Sequence, residues 1–276
     1  MAARKNIIPG GYRDRVLFML MTCGIPVIVF FDFCFVAPRY HDTFDKFMWV
    51  HSASAAFILF NIYANLFKLL LTDTSAHHMA HDVLLPGWRY CPVCAMNVPP
   101  RSHHCSVCNE CILKHDHHCM FTGRCIGFYN QRYFVVALFY MTAGLLYSLW
   151  YKCPYVLEML GGLNLVTVLH MVAPHFGLLL GLVDGWLFVC TLLNLVELVV
   201  FFLCAYLLAV ELICVARNQT TYEKSHGIRI YGRGLGRNLK ESLGAAWFLV
   251  WLSPWVHSPV PGDFDGGVVC VEKKEL

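Results

Sequence analysis

Residues 91–125 read CPVCAMNVPPRSHHCSVCNECILKHDHHCMFTGRC, and this stretch holds seven of the chain's 14 cysteines and five of its 14 histidines. The metal-donor residues fall as Cys91-x2-Cys94, His104-Cys105, Cys108-x2-Cys111, His118-Cys119 and Cys125. A structural zinc site closes a tetrahedron with four thiolate or imidazole ligands, so two ions take about eight donors. Six Cys and two His supply them, which leaves Cys119 over. Spacing does not say which ligands share an ion, because sequential and interleaved pairings fit equally well. The spare Cys119 ends Asp116-His117-His118-Cys119, with a carboxylate and an imidazole just upstream. A nucleophile, a base and a group to orient the base are therefore present together. A segment of this size, with few large aliphatics, cannot hold one conformation unaided, so metal must fix it.

Outside this stretch the chain is apolar. Hydrophobic residues make up 58% and charged residues 14% of its 276 positions, against roughly 45–50% and 25% in soluble domains. The apolar residues cluster in runs long enough to span a bilayer, which takes about 20 residues each. This predicts an all-α integral membrane protein with four transmembrane helices, and a small cytosolic zinc-stabilised cysteine-rich domain of short β-hairpins between the second and third. The net charge of +3 is small and spread out, which argues weakly for an anionic lipid or coenzyme and not for nucleic acid. Glycine-rich nucleotide motifs are absent, and no internal repeat is apparent.

The expected order begins with a basic cytosolic N-terminus, 1–15, containing Arg4, Lys5, Arg13 and Arg15. A first span covers 16–36, with Pro26 inside and Asp32 near its far end, and a second covers 47–71, with Asn61 and Asn65 on one face for helix–helix hydrogen bonding. The cytosolic loop is 72–132, its cysteine-rich core 91–134. His77, His78 and His81 within it have helix-like spacing but no fourth donor nearby. The third span is 133–151, starting close after Cys125 and so holding Cys119 near the membrane surface. Residues 160–215 could form two spans, but parity opposes that. Most Lys and Arg lie in the N-terminus, the cysteine-rich loop and 217–240, and the positive-inside rule puts all three on the cytosolic side. One crossing, 194–216, satisfies this, with 152–193 a luminal or interfacial segment. Glu197 and Glu211 then fall near the two ends of the crossing, suited to capping or interhelical pairing. In the cytosolic C-terminal segment, 217–276, the Trp-rich stretch 245–256 is expected as an interfacial helix. Lys273 and Lys274, at the end, resemble a dilysine retrieval signal of the endoplasmic reticulum.

The cysteine-rich stretch resembles a known family, the Asp-His-His-Cys (DHHC) membrane palmitoyltransferases, or protein S-acyltransferases. The resemblance rests on Pro99-Pro100-Arg101-Ser102-His103-His104-Cys105-Ser106-Val107-Cys108, on Asp116-His117-His118-Cys119, and on Cys125-Ile126-Gly127-x2-Asn130-x3-Phe134. Met120-Phe121 stands where the family usually has Pro-Trp. Thr220-Thr221-Tyr222-Glu223 resembles the family's Thr-Thr-x-Glu element, the region around Asn238 its later C-terminal motif, and Asp73-Thr74-Ser75 keeps only the Asp of its Asp-Pro-Gly.

The resemblance implies one zinc on Cys91, Cys94, His104 and Cys111, and another on Cys105, Cys108, His118 and Cys125. It implies that Cys119 takes a long-chain acyl group from palmitoyl-CoA as a thioester, with His117 as base and Asp116 orienting it, and passes it to cysteine thiols of membrane-associated proteins. Such an enzyme itself carries palmitate. Arg101, Lys114, Arg124 and Arg132 are candidates for the coenzyme phosphates, and Ala143-Gly144 for the deep part of an acyl cavity. The expected location is the endoplasmic reticulum or Golgi membrane, with both termini cytosolic. An accessory subunit is compatible with all of this. The competing class is a non-catalytic, membrane-anchored zinc-binding interaction module. Asp116, His117 and Cys119 argue against it, because a scaffold has no use for them.

Overall fold

A computed structural model describes residues 8–42, 45–79 and 82–260. Four helices are long and apolar enough to cross a membrane: α1 (Tyr12–Tyr40), α2 (Lys46–Leu71), α3 (Gln131–Met159) and α6 (Gly185–Arg217). At 1.5 Å per residue, the 29 residues of α1 or α3 exceed the ~30 Å of a hydrocarbon core. The described chain is mostly helical, with a cysteine-rich region between α2 and α3.

The chain divides into two compact units, Met1–Phe18 with Tyr63–Val136 and Val210–Leu276, and Met19–Ile62 with Ala137–Ala209. In the first, the cysteine-rich region forms three antiparallel two-stranded hairpins: β1 (Arg89–Cys91) with β2 (Met96–Val98), β3 (His103–Cys105) with β4 (Glu110–Ile112), and β5 (His117–Cys119) with β6 (Arg124–Ile126). They share one plan that the sequence concealed. Cys91 pairs with Met96, Cys105 with Glu110 and Cys119 with Arg124, and each turn contains a left-handed residue, Ala95 (φ 51°), Asn109 (φ 53°) or Gly123 (φ 59°). The first two turns carry Cys-x2-Cys. The third carries Cys119-x2-Thr122, so Cys119 occupies a metal-ligand position whose partner thiol has become a hydroxyl. Contrary to the sequence expectation, there is thus a local threefold repeat.

Short strands bury little, and the hairpins are joined by a core of Ala76, Cys91, Val98, Cys111, Leu113 and Phe128. Backbone bonds close it: Ala76 N–H donates to Cys111 O (2.7 Å), Leu113 N–H to Thr74 O (2.9 Å) and Phe128 N–H to Leu113 O (2.9 Å). Asp73 accepts the Ser75 N–H at 2.8 Å and lies 3.2 Å from His78. His81 lies outside the described residues.

Gly127 sits in a tight crossing, where a Cβ would fall 2.6 Å from Leu113 O and 2.8 Å from both Ile112 and Thr74. Its N–H donates to Asn130 Oδ1 (2.8 Å), while Asn130 Nδ2 donates to Cys125 O (2.9 Å). Gly127→Ala is therefore expected to cost about 1–3 kcal/mol through overpacking, read as a lower thermal midpoint.

After α6 the chain turns at Asn218 (φ 48°) into the short helix α7 (Thr221–Ser225). Thr220 and Glu223 cap α7 reciprocally, the arrangement that Ser/Thr-x-x-Glu favours. Helix α8 (Leu235–Leu243) follows, and Asn238 ties it back to Ala216 O at 2.7 Å. The expected interfacial helix over 245–256 is instead a run of turns across 245–252. Ala245 N–H donates to Pro259 O at 2.9 Å, and Ala246 N–H to Ser258 Oγ at 3.0 Å, so the start of this run is tied to returning chain.

In the second unit the helix ends depart from the expected spans. The apolar run of α3 continues past Tyr151 to Met159, and α6 starts at Gly185 rather than near Asn194. Between them lie only α4 (Leu165–Val172) and α5 (Pro174–Leu179). Lys152, the first residue after the expected third span, is fully buried. It pairs with Glu197 and lies 2.8 Å from Asp32. A buried cation so neutralised does not end a helix. Glu197 accordingly lies well inside α6 rather than near its end, and also accepts from Ser148 at 2.7 Å. Asn61 donates to Phe57 O within its own helix at 3.1 Å.

Candidate active site and metal clusters

Two sets of four donors converge in the hairpin region: Cys91, Cys94, His104 and Cys111 in one, and Cys105, Cys108, His118 and Cys125 in the other. These are the groupings the family resemblance implies, and the hairpin register explains why they interleave. His104 pairs across its hairpin with Cys111, and His118 with Cys125, so each hairpin delivers an imidazole and a thiol side by side.

The geometry fits a tetrahedral ion. Thiolates at ~2.3 Å and imidazoles at ~2.0–2.1 Å from one zinc require ligand–ligand edges of about 3.6 Å. In the second cluster His118 Nδ1 lies 3.4, 3.6 and 3.9 Å from the sulfurs of Cys108, Cys125 and Cys105, and Cys108 and Cys125 are 3.5 Å apart. The first has Cys94–His104 at 3.2 Å and Cys94–Cys111 at 3.7 Å. Burial and the neighbouring thiols push the Cys125 and Cys111 thiols far up. A cation at the centre reverses that penalty.

Alternation along β5 separates the roles of its three residues, since neighbours on a strand point to opposite faces. His118 points to the metal cluster, while His117 and Cys119 share the other face and are hydrogen-bonded. His117 Nδ1 lies 2.9 Å from Asp116 Oδ2, and its ring meets Phe134 edge-on at 5.2 Å. Asp116 Oδ1 accepts the backbone N–H of Thr221, at the start of α7. Burial opposes a charge on His117, but Asp116 and Cys119 outweigh it and raise the imidazole to about 10. Burial pushes the Cys119 thiol up, yet hydrogen bonds from His117 and Thr122 hold it below the usual thiol range. The arrangement favours a thiolate–imidazolium pair at a thiol 7% exposed.

A second carboxyl reaches this group. Glu211, near the end of α6, is 3% exposed and has Oε1 3.8 Å from His117 Nδ1. The sequence marked Glu211 as a carboxylate in an apolar helix and assigned it to capping or pairing. Its neighbour could not be found without the fold.

Arg101 is committed elsewhere. Its guanidinium grips Glu223 at 2.6 and 2.9 Å and donates to Asn218 O at 3.0 Å, with left-handed backbone at φ 66°. This holds α7, and with it Thr221, against Asp116. Arg101→Ala leaves Glu223 buried without its cation, so a loss of about 3–5 kcal/mol is expected, measured by thermal unfolding.

Lys114 is also unsuited to a solvated phosphate. It is fully buried, 3.4 Å from Gln131 Oε1 and Ser242 Oγ, and burial together with Arg101 lowers it to about 7. Arg124 is buried too. Arg132 is partly exposed and donates to Ser258 O and to the Tyr133 hydroxyl. The His103 ring lies tilted against Tyr222, with centroids 3.8 Å apart.

Three paired hairpins holding two four-donor clusters, with a spare thiol hydrogen-bonded to a His–Asp pair, fit an enzyme that works through a cysteine. The family model described as DHHC palmitoyltransferase matches residues 86–228, and the chain belongs to that family. Over 255 residues it is 35% identical to "Probable palmitoyltransferase ZDHHC24" of Danio rerio, covering 91% of this chain and 86% of that protein. It is 38% identical over 217 residues to the protein of the same name in Homo sapiens, covering 76% and 75%. "Palmitoyltransferase ZDHHC22" of Danio rerio is 30% identical over 188 residues, covering 66% and 62%. The chain is a protein palmitoyltransferase.

Proposed function

We propose that Cys119 is the nucleophile, and that it carries the acyl group between palmitoyl-CoA and a protein thiol. The observation that carries this is the hydrogen-bonded row Asp116–His117–Cys119 on one face of a strand whose other face serves a metal cluster. In the first half-reaction the Cys119 thiolate attacks the donor's thioester carbonyl. The bond to the coenzyme sulfur breaks, and that sulfur takes its proton from His117. In the second, His117 accepts the proton of the incoming cysteine thiol, whose sulfur takes the acyl group and releases Cys119 as thiolate. Asp116, pinned by Thr221, keeps the His117 ring in place throughout, as carboxylates do in related triads. Exchange between thioesters is close to energetically neutral, so the rate depends on nucleophile activation and positioning.

Both metal clusters hold zinc in a structural role, which suits closed four-ligand Cys3His sets. Helices α1, α2, α3 and α6 span the membrane, and the cysteine-rich region, the N-terminus and the chain after α6 face the cytosol, as the distribution of Lys and Arg requires. The acyl chain lies among the helices near Ala143 and Gly144. The coenzyme phosphates are met at the surface around Arg132. Substrates are membrane-associated proteins with cytosolic cysteines, and the compartment is the endoplasmic reticulum or Golgi. The dilysine-like Lys273-Lys274 lies outside the described residues.

The test is turnover. Purified protein in detergent, given palmitoyl-CoA and a membrane-anchored cysteine peptide, should release CoA and yield palmitoylated peptide. A Cys119→Ser variant should do neither. Equal transfer by that variant would remove Cys119 from the reaction.

A further inference from the structure

His118 uses both ring nitrogens. Nδ1 faces the three sulfurs of the second cluster, as given above, and Nε2 lies 3.0 Å from Asp14 Oδ2. Asp14 comes from the first turn of α1, far away in sequence, and is 7% exposed. It is flanked by Arg13 and Arg15, yet Arg15 turns away to Pro9 O (2.8 Å) and Gly10 O (3.0 Å). Among the described residues, the ion pair of Asp14 is with His118 alone.

A second observation fixes the same junction. Gly123, in the left-handed turn of the β5–β6 hairpin, is packed so closely against the segment before α1 that a Cβ would fall 2.3 Å from the Cβ of Pro9. The hairpin that carries His118 and Cys119 is therefore seated on the chain that delivers Asp14. The first cluster has no counterpart, since no protein partner is found for the other nitrogen of His104 among the described residues.

A metal-bound imidazole whose free N–H donates to a carboxylate is fixed in tautomer and orientation and is the more basic ligand, and removing such a partner typically weakens metal binding 10–100-fold. We propose that Asp14 is the outer carboxylate of the second metal site: it holds His118 with Nδ1 toward the ion and makes the start of α1 part of that site. The inference rests on the zinc assignment made above. Asp14 is a positioning residue that acts through His118 on the strand bearing Cys119. It gives the second site, through the start of the first membrane helix, a hold on its ion that has no counterpart at the first among the described residues.

The test is zinc release from full-length protein in detergent, under excess EDTA, for wild type, Asp14→Ala and Asp14→Asn. The expected result is that one of two zinc ions leaves Asp14→Ala 10–100-fold faster, while the other leaves at the wild-type rate. Asp14→Asn should fall between, because the amide oxygen still accepts from Nε2 without the charge. Wild-type release of both ions from the variants would overturn the proposal, even if both melt earlier, because that is the signature of an acid that merely supports the helix start. Equal acceleration of both ions would overturn it too. Should Asp14→Ala fail to accumulate, Asp14→Asn decides by the same criterion. A wild-type content other than two zinc ions per chain would fail the zinc assignment itself, and Asp14's role with it.

Discussion

Replacing Cys125 by Ser is expected to cost the protein its cysteine-rich fold, not merely one contact. Cys125 sits beside Cys108 and His118 in the second cluster and beside Ile112 and Cys105 in its small core. Structural zinc contributes about 10–16 kcal/mol to such small domains, as much as the whole stability of many proteins, roughly 5–15 kcal/mol. The three hairpins have three-residue strands and little else to hold them. Zinc content should drop from two per chain to one or none, protease sensitivity across 89–126 should rise, and acyl transfer should vanish. A variant that keeps two zinc ions and full protease resistance would show that Cys125 is not a ligand.

His117→Ala should fail in a different way. The ring belongs to neither four-donor cluster, so zinc content should stay near wild type, while the thermal midpoint should fall because Asp116 and Glu211 are left buried without its charge. The acylation rate should fall by about 10²–10⁴, the usual contribution of a positioned general base. The sign of the pH effect follows from the environment of Cys119. Burial raises that thiol, and His117 is the first of the groups that lower it. With the imidazole gone only the Thr122 hydrogen bonds still oppose burial, so alkylation of Cys119 by iodoacetamide should need a higher pH than in the wild type. An unchanged alkylation profile would show that His117 does not activate the thiol.

Much of this site was legible in the sequence because ligand chemistry is short-range and leaves its spacing behind. Counting donors isolated Cys119, and its neighbours Asp116 and His117 stand beside it in the chain. The pairing of ligands was not legible from spacing. Cross-strand register decides that His104 joins Cys111 and His118 joins Cys125, and register depends on where each turn falls. The threefold repeat was hidden because Thr122 occupies the position of a cysteine. Whatever depends on distant chain was hidden as well. Glu211 at His117 and Asp14 at His118 are single carboxylates whose partners only the fold supplies. The end of α3 was misplaced for the same reason, since Asp32 and Glu197 neutralise Lys152 and the apolar run continues past it. Arg101 and Lys114 read as phosphate contacts in the sequence, because burial of a cation cannot be read without its carboxylate or its cover.

The most direct measurement is the intact mass and site of modification of the purified protein after brief exposure to palmitoyl-CoA without acceptor. The account predicts one added palmitoyl group, on Cys119, released by neutral hydroxylamine, and no such adduct on Cys119→Ser that retains both zinc ions. Transfer to acceptor by a protein that never carries acyl at Cys119, or an equal hydroxylamine-labile adduct on the variant, would contradict it.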